Sequence, residues 1–215
     1  MSSLPNELEY IVKLYAQTKS LILKAEELDP ELRSCVPIIK ELRDSFDHLM
    51  RYIGDSFAQT PQGDSYKKQQ LDKAIGHVYR AAYDALDSLS ICLKTRIHKA
   101  LDERSTETIS VVFPLYYKTH ITKLSEIDGR IEESRKHKDI GKKYNADDLN
   151  NYMGFLVELE NICKEAESRI PDMVAFDQKK AAELKNNNRF TINVAFWSAI
   201  IGAVIAFLLD FFFKK

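Results

Sequence analysis

Between Phe190 and Phe213 the sequence runs FTINVAFWSAIIGAVIAFLLDFFF, with one carboxylate and no lysine or arginine. At about 1.5 Å rise per residue this stretch makes a helix of roughly 36 Å, enough to cross a hydrocarbon core of about 30 Å with some tilt. It is expected to be a transmembrane helix. Because only Lys214 and Lys215 follow, it reads as a tail anchor that leaves nearly all other mass on one side of the bilayer. The small residues of this stretch fall in two four-residue series, Ala195, Ala199, Ala203 and Ser198, Gly202, Ala206. At 100° per residue they share an arc of about 140°, with Trp197, Ile200, Ile201, Val204, Phe207 and Leu208 on the other side. Small residues let helix backbones approach closely, and a single span can use such a face only against another copy or another protein. Asp210 lies on the same arc. It either reaches the headgroup region or joins a ring of carboxylates inside a helical assembly, since acids within a bilayer usually face protein or water.

The anchor leaves residues 1–185 for one soluble domain, long enough for a real core, with 186–189 as a short polar linker. Thirty-one basic and 32 acidic residues give a net charge of -1, so no global basic bias marks nucleic acid as the main partner. Cys35, Cys92 and Cys163 are odd in number, far apart and set in apolar helical patterns, as suits reduced thiols in a cytosolic compartment. They show no metal-ligand spacing, and no metal or cofactor is expected. The start, MSSLPNELEY, lacks a basic region followed by an apolar core, so no secretory signal is read there. Lys179, Lys180, Lys185 and Arg189 precede the anchor, which favours the large domain on the cytoplasmic side.

The rest of the chain has helical periodicity and no convincing two-residue alternation. Leu8, Ile11, Val12, Tyr15 and Ile22 mark a first helix to about Leu28. A second starts near Pro37 and ends at Gly54, with Ile38, Ile39, Leu42, Phe46, Leu49, Met50 and Ile53 on one arc of about 120°, expected to be buried. After a loop containing Pro61, a third helix from about Tyr66 to Glu103 keeps Leu71, Ile75, Val78, Ala82, Ala85, Leu89 and Leu93 on one face and is expected to be the longest rod. Ser105 is placed to cap a fourth, started or kinked at Pro114 and closed at Gly141; Asn145 with Asp148 resembles the capping box of a fifth, which Pro171 should kink. The predicted fold is all-α, an up-and-down bundle of long helices plus the C-terminal transmembrane helix. Nucleotide-binding and nucleophile-elbow motifs are absent.

The second helix contains ELRDSFDHLM, in which four residues separate Arg43 from His48. An imidazole titrates near neutral pH and a guanidinium offers a fork to phosphate oxygens, so the two types together suit phosphodiester chemistry. The motif resembles that of HEPN domains, helical bundles in which Arg and His with four to six residues between them mark many metal-independent ribonucleases. Asp44 fits the polar place after the Arg. The resemblance covers residues 5 to 135 and implies Arg43 and His48 as catalytic residues, His assisting attack by the RNA 2′-hydroxyl and Arg steadying the phosphate. On a regular helix the two point about 140° apart, so one copy cannot pair them and a second copy must complete the site. His77, Arg80, Asp84 and Asp87 form a polar stripe on the third helix, of which His77, Arg80 and Asp84, with Asp44, make a supporting cluster. Arg130 with His137 repeats the spacing in a lysine-rich helix end and is set aside. His98 and His120 lack an acidic or cysteine partner at metal spacing and are expected at the surface or core edge.

A HEPN-like domain joined to a membrane helix looks like membrane accessory proteins of bacterial RNA-targeting CRISPR systems and other antiphage effectors. The resemblance implies an oligomerising effector in the bacterial inner membrane, single-pass and tail-anchored with its bulk cytoplasmic, clustering its transmembrane helices to form a pore or perturb the membrane. The partners implied are the lipid bilayer, other copies of the chain, and RNA or an RNA-guided effector protein. Two alternatives stand beside it, a membrane-tethered metal-independent HEPN ribonuclease and a tail-anchored non-enzymatic adaptor.

Overall fold

The computed structural model describes residues 6–29, 34–138 and 146–213, and these are helical, without a strand. The helices are α1 (Asn6–Leu28), α2 (Val36–Asp55), α3 (Asp64–Leu101), α4 (Thr106–Val112), α5 (Ile121–Arg135), α6 (Ala146–Ser168) and α7 (Ile170–Phe213). A π-helical turn, Tyr116–His120, leads into α5. The expected stop at Gly141 and start at Asn145 lie outside the described residues. The chain divides into two units, one built on α1, α2, α3, α5 and α6, the other on α4 and α7.

In the first unit α3 is the central rod. Ala81, Ala82, Tyr83, Ala85 and Leu86 are fully buried, because α1, α2 and α6 all pack on it. The alanines let these neighbours approach closely, while Tyr83, Leu86, Leu89 and Leu93 fill the space between them. Cross-helix bonds fix the directions. Lys24 reaches Glu160 as Gln17 reaches Met153, so α1 and α6 run parallel. Asp87 meets Tyr152 while Arg96 forms a two-pronged pair with Glu167, so α3 runs parallel to α6 as well. Arg135 with Asp87 and Lys94 with Asp128 set α5 antiparallel to α3. Together with the antiparallel α2, these directions alternate up and down along the chain.

Pro37 sits in the first turn of α2, where a missing N–H leaves nothing unbonded. At the other end of α2, the buried Asp55 accepts from the backbone N–H of Gln62 at 2.6 Å and draws the loop closed; Gly63, at φ +93°, then starts α3.

Two expectations need correction. The apolar arc of α2 is only half buried: Ile38 is inside, but Ile39, Phe46, Met50 and Ile53 are exposed. The reason is that α2 meets α3 through Ile38, Ser45 and the polar Glu41 and His48, which turns much of the apolar arc away from α3. The longest rod is α7 rather than α3. Pro171 falls in its first turn, where proline is tolerated, and the polar residues 186–189 are helical, so the helix continues unbroken into the apolar stretch.

In the second unit α4 packs on α7. The Ser105 hydroxyl caps α4 by accepting from the Thr108 N–H at 3.0 Å. Thr108 donates to Asp177 Oδ1 at 2.6 Å, Arg104 reaches Asp177 Oδ2 at 2.9 Å, and Lys180 pairs with Glu107. Asp177 is held below the usual carboxylate range, chiefly by the Thr108 hydroxyl and then by Arg104. The helix stops at Phe113, at φ -131° and ψ 62°, because the following Pro114 disfavours the helical conformation in the residue before it.

Candidate functional site

Of the residues singled out on α2 and α3, His48, His77 and Arg80 converge on one side of the α2–α3 contact. Because the helices are antiparallel, Glu41 and His48, seven residues apart on α2, lie across from His77 and Gln70, seven apart on α3. Each histidine donates to the other helix. His48 Nδ1 donates to Gln70 Oε1 at 2.7 Å, and His77 Nδ1 donates to Glu41 Oε2 at 2.8 Å. Between them the two imidazoles stack, ring centroids 5.2 Å apart and planes 19° from parallel.

Arg80 completes the group. Its Nε donates to Glu41 Oε2 at 2.7 Å, and its Nη2 lies 2.6 Å from His77 Nδ1. Both of those nitrogens carry protons once Nδ1 donates to the carboxylate, so the shared Glu41 oxygen holds them together. Burial on its own would raise the Glu41 pKa, but the Arg80 and His77 hydrogen bonds outweigh it and hold the carboxyl below its ordinary value. With both Nδ1 atoms engaged, Nε2 of each ring is the nitrogen left to accept a proton.

Arg43 stands apart from this group. Its side chain is 71% exposed, and its guanidinium bonds the neighbouring Asp44 at 2.8 Å. That contact, before burial and more distant charges, holds the Asp44 carboxyl below its usual range. No contact joins Arg43 to His48 within one copy, as their angular separation on α2 requires. Asp84 is also elsewhere: it pairs with Lys138, and Asp87 with Arg135 and Tyr152. The polar stripe of α3 is thus shared between α2 at His77 and Arg80 and the α5–α6 side at Asp84 and Asp87.

Glu41 and Gln70 were not singled out from the sequence, although each sits one heptad from a histidine and so on its face of the helix. His120 is buried rather than merely edge-lying, and its Nε2 pairs with Glu165 at 3.0 Å, a partner brought in by α6. Among the described residues no group of His, Cys, Asp and Glu is arranged to hold a metal ion.

The membrane-directed residues lie on α7, which is long and apolar enough to cross a bilayer. Phe190, Ile192, Phe196, Trp197, Ile201, Val204 and Ile205 are all exposed, and so are Ala195, Ser198, Ala199, Gly202 and Ala203. A Cβ added at Gly202 would meet nothing within 4 Å apart from the helix's own backbone. Ala206 and Asp210 are within the helix, but their side chains lie outside the described ones. No family model, curated protein or solved structure matches the chain.

Proposed function

We propose that this chain is a single-pass, HEPN-like membrane effector whose copies gather through the small-residue face of α7 and perturb the bilayer. The observation that carries the reading is the continuity of α7, one helix of 44 residues from Ile170 to Phe213 whose apolar residues 190–205 are unburied. A surface apolar around so much of its circumference is costly in water and at home in lipid. The small residues on one arc then provide a side for close helix approach. Lys179, Lys180, Lys185 and Arg189 before the apolar stretch favour a cytoplasmic bundle by the positive-inside rule. The setting proposed is the bacterial inner membrane in antiphage, CRISPR-type defence, with an RNA-guided effector protein as a partner; this rests on the resemblance alone.

The test is a voltage-sensitive dye in cells expressing the full chain, compared with Gly202→Leu and Asp210→Ala. Because Gly202 has open space around it in the single chain, a leucine there leaves the helix intact and blocks only close approach by a neighbour. Loss of depolarisation is expected in Gly202→Leu. Unchanged depolarisation in both variants would reject the pore.

The stacked histidines favour a second reading, a membrane-tethered metal-independent ribonuclease. Here Nε2 of His48 takes the 2′-hydroxyl proton and Arg43 of a second copy steadies the phosphate, with Glu41, Gln70, His77 and Arg80 fixing the imidazole. The detergent-extracted full chain should then cleave RNA in the presence of a chelator, and His48→Ala should slow it by about 10²–10⁴-fold. Cleavage that persists in His48→Ala removes this reading.

A further inference from the structure

The three cysteines divide two and one. Cys163 is buried on α6, whereas Cys35 and Cys92, far apart in sequence, are half-buried and line the same cavity. That cavity, of about 310 Å³, lies where α1 packs on α3 and the chain enters α2. Its buried lining comes from Ala25 of α1 and Ile38 of α2, and Ser88, Cys92 and Thr95 follow one another along α3 at about one-turn intervals.

The two sulfurs are held differently. Cys35 is the residue before α2, at φ -77° and ψ 108°, and its side chain makes no capping bond to the first turn of that helix. The hydroxyl of the preceding Ser34 donates to Glu26 Oε1 at 2.7 Å and ties this entry segment to α1 beside the cavity. Cys92 is carried by α3, the rod on which the first unit is built. Among the described residues no third side chain joins the two sulfurs in a group arranged to hold a metal ion, which leaves chemistry between the thiols themselves.

We propose that Cys35 and Cys92 form a dithiol site for a low-molecular-weight disulfide of the oxidised-glutathione class, which closes them into a bond between the start of α2 and α3. The Cys35 thiolate attacks one sulfur of the small disulfide, forming a mixed disulfide and releasing the first small thiolate. The Cys92 thiolate then attacks the Cys35 sulfur, and the second small thiolate leaves. Two protein thiols are oxidised, one small disulfide is reduced to two thiols, and the protons lost by the cysteines end on the thiols released. Cys35 goes first because it lies outside a helix and can turn towards the reagent, while α3 holds Cys92 in the wall. Between the two steps the cavity holds the small group. An accessible thiol with a resolving partner beside it is the arrangement of cysteines that respond to oxidants. The bond fastens α2, and with it Glu41 and His48, to α3 covalently; it draws on neither the histidine cluster nor α7.

The experiment treats the detergent-extracted full chain with oxidised glutathione at pH 8. Remaining thiols are capped with a maleimide while the chain is folded, then with iodoacetamide after unfolding, and the unreduced digest is read by mass spectrometry. A peptide linking Cys35 to Cys92 is expected in at least tenfold excess over any other pairing, unchanged when the protein is diluted tenfold and lost on adding dithiothreitol. Cys163, buried, should carry only iodoacetamide, which shows that the chain stayed folded. Cys92→Ser should stop the reaction at a glutathione adduct on Cys35, and Cys35→Ser should slow glutathione addition to Cys92 at least tenfold; Cys163 reports the fold of each variant. Cys35 and Cys92 left as thiols, an adduct that accumulates on Cys35 of the native chain without passing to Cys92, bonds between copies that fall on dilution, or modification of Cys163 as fast as the linked peptide forms would each overturn the proposal.

Discussion

His48 and His77 stack face to face across the α2–α3 contact, and each ring is oriented by an acceptor from the opposite helix. The exchange works because α2 and α3 run antiparallel in a register that sets Glu41 against His77 and Gln70 against His48. One carboxylate, Glu41, serves both His77 and Arg80.

Glu41→Gln should therefore loosen the α2–α3 contact. A carboxyl whose folded pKa is lowered contributes stability that is fully present above its unfolded value and is lost as the pH falls through the folded one. The variant should lose about 1–2 kcal/mol at pH 7, and the difference from the parent should shrink below about pH 4. Urea unfolding of the detergent-extracted chain, followed by circular dichroism at the two pH values, measures it.

Core and face should respond oppositely to truncation. Leu86 is fully buried on α3, and Leu86→Ala should cost about 2–5 kcal/mol. Phe46→Ser, at an exposed position, should change monomer stability by no more than about 0.5 kcal/mol. Thermal unfolding of the pair checks both.

The hold of α4 depends on a short chain of hydroxyls. Ser105→Ala removes the cap on the Thr108 N–H and should cost about 1 kcal/mol. Thr108→Val removes the donor to Asp177 and should raise the pKa of that carboxyl towards its ordinary value. Amide hydrogen exchange over 106–112 should be faster in both variants and unchanged over α3.

The cysteines should separate by reactivity. Cys163 is buried, and that burial pushes its thiol up to about 11. Alkylation at pH 8, followed by peptide mass spectrometry, should modify the half-buried Cys35 before Cys163, which should react only on unfolding.

Helix existence was legible from periodicity and punctuation, because Pro37, Ser105 and Pro171 act locally. The same signals mark Ile38 and Phe46 alike as members of one apolar arc; only the side on which α3 docks decides that the first is buried and the second exposed. The site was half visible for a related reason. His77 and Arg80 carry chemistry that a sequence advertises, but Glu41 and Gln70 acquire importance from a register between helices. The division of the α3 stripe, with Asp84 drawn to Lys138, likewise depends on where α5 ends.

The unbroken course of α7 has a consequence for any gathering of copies. Counted at 100° per residue back from Gly202, the residues Met173, Asp177 and Lys180 fall on the same side of the rod as the small-residue arc. Asp177 and Lys180 are also where α4 is fastened. Rods packed through Gly202 would thus carry α4 on their inward side, above the bilayer. Seven residues of helix cannot share the close spacing that glycine and alanine permit, so the rods must diverge as they leave the membrane. On α7, then, the side that is slimmest along the apolar stretch is the side already occupied by α4 near the start of the helix.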